Sequence, residues 1–395
     1  MIYGDGIHDD TQGIQELIDS GVCEVTLPVP KSFYLISKPL ELPSNFRLVL
    51  PRFAEIRLAK GSSCLMLKAK TVKREDYVPR VGLWEQLRSY SPDFPCSNIE
   101  VRGGIWNFNN REQTPNPIYT KVFDPIDYSG FGFLFYNVKG LCLSSMTLKD
   151  PVNFAVTLDT VSYFTVEDIT FDFNYGNPMA CNMDGIHVNG NCHFGHIRNL
   201  KGACYDDLVA LNADEGTNGP ISHIDIDGIY SEDCHSALRM LTVKNRVSNI
   251  HVSNVHGTFF QYCIGVTKYF KGETEGLYDA VTFDNIYASK AERLPVYNKK
   301  PTSYVYPIIY IEEDTRIKNL RISNLHRREK LIPVSTVYVG ADSVIDSLIL
   351  DNITTENLTG EPCMPLLDNR GTLKHLSCSD IFADGKEVHL TSNCK

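Results

Sequence analysis

Phe164-Thr165-Val166-Glu167-Asp168-Ile169 is the first clear copy of a six-residue pattern that recurs along the chain. Apolar residues occupy the first, third and sixth positions of the pattern, and Asn, Asp or Ser usually precedes the last of them. The further copies are Ile224-Asp225-Ile226-Asp227-Gly228-Ile229, Ile250-His251-Val252-Ser253-Asn254-Val255, Val281-Thr282-Phe283-Asp284-Asn285-Ile286, Leu320-Arg321-Ile322-Ser323-Asn324-Leu325, Leu348-Ile349-Leu350-Asp351-Asn352-Ile353 and Leu376-Ser377-Cys378-Ser379-Asp380-Ile381, with a weaker copy ending at Leu200.

The spacing of these copies predicts a solenoid. Their last residues lie 26 to 39 positions apart, and each copy has the alternation of a short β-strand rather than helical periodicity. A unit of this size cannot bury its apolar face alone, but it can do so when stacked on its neighbours. Leucine-rich repeats and β-propellers have consensus residues that are missing here. We therefore predict an all-β protein, a right-handed parallel β-helix forming a single domain over residues 1–395.

The ends of a solenoid core must be covered, and the N-terminal sequence predicts such a cover. Residues 9–21 combine an aspartate at the start, a glycine at the end, and Ile14, Leu17 and Ile18 on one helical face. We expect a short capping helix there. Residues 70–95 and 107–127 lack the repeat pattern, so we predict two long loops.

Composition limits the possible partners. The 395 residues are 43% hydrophobic and 22% charged, and the formal net charge is −10. A protein that neutralises a phosphate backbone needs a basic face, so we do not expect nucleic acid as a partner. No apolar run approaches the roughly 18–20 residues of a membrane span, so we expect no membrane partner. No signal peptide is apparent and the 12 cysteines follow no framework spacing, which predicts a cytoplasmic protein with mostly reduced, buried thiols.

Acidic residues gather in consecutive predicted coils, on the strand opposite the repeat. Stacked apolar pairs in the segments 182–188, 205–212, 234–240 and 263–268 would place four polar residues at the leading ends of three adjacent strands, about 4.8 Å apart. These residues are Asp184, Asp206, Asp207 and His235. Each aspartate taken singly is more often a turn residue, but three in register with a histidine favour a site. Clustered carboxylates separate their pKa values, as glycosidic bond cleavage requires.

These motifs resemble those of the polygalacturonases of glycoside hydrolase family 28, which are right-handed parallel β-helices. Asn182-Met183-Asp184-Gly185 is similar to the family's Asn-Thr-Asp, Asp206-Asp207 to its paired Asp-Asp, and His235 lies in the coil of its Gly-His-Gly. Val266-Thr267-Lys268 is the nearest match to Arg-Ile-Lys. The opening Gly4-Asp5-Gly6 also resembles the N-terminal cap of many pectin-acting β-helix proteins.

The resemblance implies a metal-independent glycoside hydrolase that acts by an inverting single displacement and needs no cofactor. Asp206 would be the general acid, Asp184 and Asp207 would position and deprotonate water, and His235 would support the acid. The candidate substrate contacts are Asn182, His187, Arg239 and Lys268. We expect a pectin-like or related oligosaccharide or polysaccharide as substrate. The long loops further suggest exo-action.

Other interpretations remain open at this point. A polysaccharide lyase would use an acidic calcium cluster with an Arg or Lys base, and a non-catalytic β-helix would bind glycans without cleaving them. Cys192, His193 and His196 are close in sequence, but they lack a second pair of zinc ligands at suitable spacing, so we expect strand packing there. Asn189 and Asn212 could form a structural ladder, and residues 312–314 are expected at a solvated strand end. The sequence leaves the oligomeric state open.

Overall fold

The computed structural model describes residues 1–72, 96–116, 130–268, 276–292 and 306–390. It begins with one helix, α1 (Thr11–Ile18), and a short 3₁₀ helix spans Asn110–Glu112. The strands of the first coils are β1 (Glu24–Thr26), β2 (Tyr34–Ile36), β3 (Leu40–Leu42), β4 (Phe46–Val49), β5 (Glu55–Leu58), β6 (Leu67–Ala69), β7 (Cys96–Arg102), β8 (Ile105–Asn107), β9 (Phe133–Ser144) and β10 (Thr147–Lys149). The strands that follow are β11 (Val156–Asp172), β12 (Ile186–Asn189), β13 (His193–Ala203), β14 (Asp207–Asn212), β15 (Ile221–Cys234), β16 (Ser236–Leu241), β17 (Arg246–Phe259), β18 (Ile264–Thr267), β19 (Leu277–Lys290), β20 (Ile309–Ile311), β21 (Arg316–Glu329), β22 (Val337–Val339), β23 (Val344–Asn357), β24 (Leu367–Asn369), β25 (Thr372–Ala383) and β26 (Lys386–Glu387).

The strands form a right-handed parallel β-helix, as predicted. Every strand from β1 to β25 pairs in parallel with strands of the neighbouring coils, and β26 pairs antiparallel with β25 at the C-terminal end. From β12 onwards, one short strand alternates with one long strand. The short strands β12, β14, β16, β18, β20, β22 and β24 stack on one another and form one face, which we call the site sheet.

The six-residue pattern predicted from the sequence corresponds to a bend that recurs in each long strand. Its last apolar residues pair coil by coil in the order predicted, namely Ile169, Leu200, Ile229, Val255, Ile286, Leu325, Ile353 and Ile381. The residue before each of them has a positive φ, between 51° and 57° except at Gly228, where φ is 82°. Asn, Asp and Gly tolerate this left-handed conformation better than other residues. The pattern therefore recurs because each coil needs the same turn.

The core is a column of stacked apolar rungs. On the site sheet and on β3, β6, β9 and β11, which continue it towards the N-terminus, in-register pairing joins the rung Leu40, Leu67, Phe133, Val156, Ile186, Val209, Leu238, Ile264, Ile309, Val337 and Leu367. None of these side chains is more than 4% exposed. Each coil therefore buries its apolar residues against the coils above and below it, and the outward residues of each strand are held in register.

The N-terminal helix covers the first coil, but it is shorter than the predicted 9–21. Ile14 and Ile18 are buried in the core, whereas Leu17 is 41% exposed, so the prediction that Leu17 packs inward was wrong. The Gln15 side chain donates to the Glu41 carbonyl oxygen at 3.1 Å and accepts from its backbone N–H at 2.9 Å. These two bonds attach α1 to β3 and leave Leu17 on the outer side.

The predicted long loops fall mainly outside the described residues, which omit 73–95 and 117–129. In the part that is described, Asn116 donates to the carbonyl oxygens of Val152 and Cys181, at 2.8 and 2.6 Å. The start of the second loop is thereby attached to the coil that precedes the site. No disulfide joins the eleven cysteines of the described ranges. Within those ranges, no helix is long and apolar enough to cross a membrane.

Candidate active site

The acidic residues predicted from the sequence lie at the leading edge of the site sheet. Asp207 begins β14 and pairs in register with Ser236, which begins β16. Asp206 and His235 directly precede these two residues, and Asp184 precedes β12, where the Gly185 N–H donates to the Asp207 carbonyl oxygen at 3.0 Å. Side-chain atoms of Asp206, Asp207 and His235 lie within 4.8 Å of one another. The stacking of the coils therefore brings the predicted cluster together.

His187 is a buried cation between two carboxylates. Its Nδ1 lies 2.7 Å from Asp184 Oδ2 and its Nε2 lies 3.0 Å from Glu215 Oε2. Phe154 stacks on the imidazole with ring centroids 3.8 Å apart, and His187 is only 1% exposed. Burial opposes the charged form, but the two carboxylates outweigh it and raise the pKa of His187 to about 9. His187 is therefore an imidazolium that holds Asp184 in place.

Arg239 holds Asp207 in a similar way. Its Nε lies 2.9 Å from Asp207 Oδ2, and its guanidinium also approaches Glu215 Oε1 at 3.8 Å. The Ser236 hydroxyl donates to the other oxygen of Asp207. Glu215 thus links the two cations. Burial alone would raise the pKa of Glu215, but His187 and Arg239 together lower it.

His235 lies against the remaining carboxylate. Its Nδ1 is 3.4 Å from Asp206 Oδ1, the ring is fully buried, and it packs tilted against Phe260 with centroids 5.8 Å apart. Asp206 is 7% exposed, compared with 2% for Asp207 and 1% for Asp184. Asp206 is therefore the most accessible carboxylate of the three.

Burial makes this cluster retain protons. It raises the pKa of Asp184, and it raises the pKa of Asp207 to about 7 even though Arg239 acts in the opposite direction. The other carboxylates of the cluster add to the rise at Asp207. Close carboxylates titrate as a group rather than singly. Near neutral pH, such a group can hold one proton for an acid step and still present an ionised base.

The four predicted substrate contacts occupy different places. Asn182 precedes the cluster in a left-handed conformation, with φ at 48°. His187 and Arg239 lie in the cluster, where both are buried in the ion pairs given above. Lys268 Nζ lies 2.8 Å from Asp314 Oδ2, and its side chain is 4% exposed. The Lys268 ammonium is thus paired with Asp314, because residues 312–314 fold back onto it instead of ending in solvent. Its role as a substrate contact stays a prediction.

Sequence reasoning missed several residues of the site. Glu215 lies beyond the end of β14, and the loop that carries it brings its side chain back to the cluster. The only feature of the sequence that could have indicated its role is the acidic pair that it forms with Asp214. Ser236 is visible only once its pairing with Asp207 is known. Asn189 and Asn212 are paired in register, as proposed for a ladder, but their amides donate to Asp159 at 3.3 Å and to Glu215 at 2.9 Å.

In the described ranges, Asp206, Asp207 and His235 form the one group of His, Cys, Asp and Glu side chains close enough to hold a metal ion. The alternative candidates do not converge. Cys192 is buried against Val161, His193 contacts the Ser222 hydroxyl at 2.9 Å, and the exposed His196 faces Asp225 at 3.7 Å. Strand packing therefore accounts for these three, as expected.

Comparison with known proteins identifies the fold. No known family model matches the sequence, and no curated protein matches it. Solved structures do match. An endo-xylogalacturonan hydrolase from Aspergillus tubingensis has 14% identity and a TM-score of 0.63, covering 99% of this chain and 97% of its own. A family 28 exopolygalacturonase from Yersinia enterocolitica has 13% identity and a TM-score of 0.54, covering 98% and 77%.

A bacteriophage tailspike shares the architecture as well. The tailspike of E. coli bacteriophage HK620, solved with a hexasaccharide, has 11% identity and a TM-score of 0.59, covering 96% of this chain and 62% of its own. Identities this low establish the fold alone. The structural neighbours of this chain include family 28 polygalacturonases, and it shares their right-handed parallel β-helix fold over almost its whole length.

Proposed function

We propose that this protein is a glycoside hydrolase that cleaves a pectin-like or related oligosaccharide or polysaccharide at the Asp184, Asp206 and Asp207 cluster. The observation that carries the proposal is this group of three buried carboxylates, two of them held by cations, beside a buried histidine. A structural role would not need three carboxylates together, because burying like charges is costly. The polygalacturonases among the structural neighbours support the same reaction class.

The residues have distinct roles in the proposed mechanism. Asp206 donates its proton to the glycosidic oxygen as the bond from that oxygen to the anomeric carbon breaks, and His235 positions the Asp206 carboxyl. Asp184 and Asp207 hold a water molecule and accept its proton as the water oxygen bonds to the anomeric carbon. The greater exposure of Asp206 supports its role as the acid, and the ion pairs of the other two carboxylates suit a fixed base.

We propose inversion of the anomeric configuration, in line with the motif resemblance. The oxygens of Asp206 and Asp207 lie within 4.8 Å of each other, which is shorter than the about 6.5–9.5 Å typical of inverting pairs. The proposal of inversion therefore rests on the motif resemblance and not on this spacing. The configuration of the first product, followed by proton NMR, separates the two pathways. The opposite anomer from that of the substrate supports single displacement, and the same anomer refutes it.

Exo-action is part of the proposal and rests on the sequences of 70–95 and 107–127. The structural neighbours include both an endo-acting and an exo-acting enzyme, so the fold does not choose between them. Product analysis on a long polymer decides the point. Release of one small product from the start supports exo-action, and an even ladder of intermediate lengths refutes it.

The proposed activity is tested by comparing the wild type with Asp206→Asn. Both proteins are incubated with oligogalacturonides and neutral pectic oligosaccharides in the presence of EDTA. The products are then separated and identified by mass spectrometry. Saturated reducing-end products should form with the wild type and be lost by at least about 100-fold in the variant. Asp225→Asn is the matched control, since this exposed aspartate lies on β15 and contacts His251 at 2.8 Å.

Two results would overturn the proposal. Unsaturated products, or activity abolished by EDTA, would indicate a lyase or a metal at Asp206, Asp207 and His235. Binding without turnover in the wild type would indicate a non-catalytic glycan-binding β-helix.

A further inference from the structure

The cations beside the carboxylate cluster are already neutralised by acidic side chains. His187 contacts Asp184 and Glu215, and Arg239 contacts Asp207 and Glu215. The next cation along the sheet, Lys268, is bonded to Asp314. In this part of the described chain, three carboxylates contact His187 and Arg239, and an oxygen of a fourth, Asp206, lies within 4.8 Å of Asp207. A negatively charged sugar bound there would meet an acidic surface rather than a free cation.

The strand position next to Arg239 carries no side chain. Gly265 pairs in register with Arg239 on one side and with Tyr310 on the other. The ring of Tyr262 fills the space above it, since a Cβ on Gly265 would lie 2.5 Å from that ring. A charged side chain at position 265 would collide with Tyr262. The space beside Arg239 is therefore filled by the ring of Tyr262, which is 3% exposed.

Tyrosines continue from this ring along the site sheet. The rings of Tyr262 and Tyr310 are parallel within 11°, those of Tyr310 and Tyr338 within 14°, and both pairs of centroids are 5.8 Å apart. Tyr306 packs edge-on against Tyr310, with centroids 4.7 Å apart. We call Tyr262, Tyr310 and Tyr338 the tyrosine column. Spacings of 5.8 Å leave the rings offset. Tyr262 is 3% exposed, whereas Tyr310 and Tyr338 are half-buried and present part of their surface.

A cavity lies at the far end of the tyrosine column. It has a volume of about 380 Å³, and its lining includes Tyr306, Tyr310, Tyr338, Asp368 and Arg370. The Arg370 guanidinium lies over the Tyr338 ring at 5.4 Å and contacts Asp368 at 3.1 Å. The cation of this cavity is thus paired too. Aromatic walls with a few polar groups are typical of sites that bind uncharged ligands.

We propose that the site binds an uncharged glycan, whose sugar rings run from the carboxylate cluster along the tyrosine column to the cavity at Tyr338 and Arg370. This inference rests on the proposed function and assigns its substrate class. Phenol hydroxyls form hydrogen bonds with sugar hydroxyls without needing a charge on the ligand. Acidic side chains beside the column disfavour a uronate at every step, since Glu312 and Asp314 flank Lys268 and Asp368 lines the cavity.

The charge of the sugar is tested by binding to Asp206→Asn, measured by calorimetry. The matched ligands are hexagalacturonide and the same hexasaccharide with its carboxyl groups reduced to alcohols, which differ only at C6, where a charged carboxylate is replaced by an uncharged hydroxymethyl group. Neutral hexasaccharides from galactan, arabinan and xylan complete the panel. We expect at least one neutral ligand to bind ten-fold or more tightly than hexagalacturonide. Equal or tighter binding of hexagalacturonide, or binding of no neutral ligand at millimolar concentration, overturns the inference.

The path of the glycan is tested at Tyr338. Tyr338→Ala should weaken binding of the preferred neutral hexasaccharide by about ten-fold and leave binding of the corresponding disaccharide unchanged, because only the longer ligand reaches the cavity. Tyr338→Phe should retain most of the affinity. Tyr287→Ala is the control, since this 44% exposed tyrosine stacks between His256 and His326 on another face. Equal losses in Tyr338→Ala and Tyr287→Ala overturn the path.

The outcomes separate this inference from the proposed function. Cleavage of oligogalacturonides alone by the wild type would leave the hydrolase proposal standing and refute the uncharged substrate. Tight binding of a neutral glycan without any turnover would support the uncharged ligand and refute the hydrolase proposal.

Discussion

Replacing Glu215 with Gln should lower the pKa of His187 and weaken the folded state. Burial opposes the charged imidazole, and the bonds from Asp184 and Glu215 together raise its pKa from 6.5 to about 9. That difference corresponds to about 3 kcal/mol of stability. Because the folded pKa is raised, this stability is fully present below pH 6.5 and is lost as pH rises through about 9. Glu215 supplies one of the two carboxylates that produce it.

The size of the effect follows from the geometry of Glu215. An opposite charge at this range typically shifts a pKa by about 1–3 units, and Glu215 Oε2 lies 3.0 Å from His187 Nε2. The Gln amide keeps an acceptor oxygen but no charge. His187 should therefore titrate about 1–3 units lower in Glu215→Gln, and the variant should lose about 1.3–2.7 kcal/mol near pH 7.

Histidine-selective NMR titration measures the pKa directly, with His187→Gln used to assign the signal among the 11 histidines. Urea unfolding at pH 7 measures the stability. Glu356→Gln is the control, because Glu356 forms an exposed ion pair with Arg328 at 2.6 Å and such pairs contribute about 0–1 kcal/mol. A wild-type His187 that titrates near 6.5, or one that does not move in Glu215→Gln, would refute the reasoning.

Three more predictions concern the acid cluster, the repeat turn and the core. Hydrolysis should fall about ten-fold per pH unit below about pH 7, where the proposed base Asp207 takes up a proton. Arg239→Gln should move this limb of the pH–rate profile to higher pH because Arg239 lowers the pKa of Asp207, and an unmoved limb would contradict the assignment. Asn324→Val should lower the free energy of unfolding in urea by about 2–4 kcal/mol, because φ is 51° and the hydrogen bonds to Asp284 and from Asn352 are lost. Asn324→Gly should lower it by about 1–2 kcal/mol, because glycine avoids the steric penalty of the positive φ. Equal losses in the two variants would argue against the turn. Leu350→Ala should cost about 2–5 kcal/mol by the same assay, because the side chain is fully buried between coils, and a loss below 1 kcal/mol would contradict the stacking.

Several features were predictable because they depend on short stretches of chain. The positions from Ile169 to Ile381 stack as the repeat indicated, since strand alternation and a left-handed Asn or Asp are local requirements. Once the coils are in register, Asp206, Asp207 and His235 must meet at one edge. The helix prediction was less accurate. Helical periodicity placed Leu17 inward, but the packing of Gln15 against β3 decides which side faces the core.

The sequence by itself determined the β-helix, its register and the clustering of three aspartates with a histidine, because these follow from a repeated local pattern. Only the tertiary structure decided which charges meet, since ion pairs depend on the paths of loops between coils. Glu215 reaches both His187 and Arg239, Lys268 is bound by Asp314, and Tyr262 covers Gly265. Electrostatic interaction depends on distance in space and on burial, and neither is encoded in the spacing of residues along the chain.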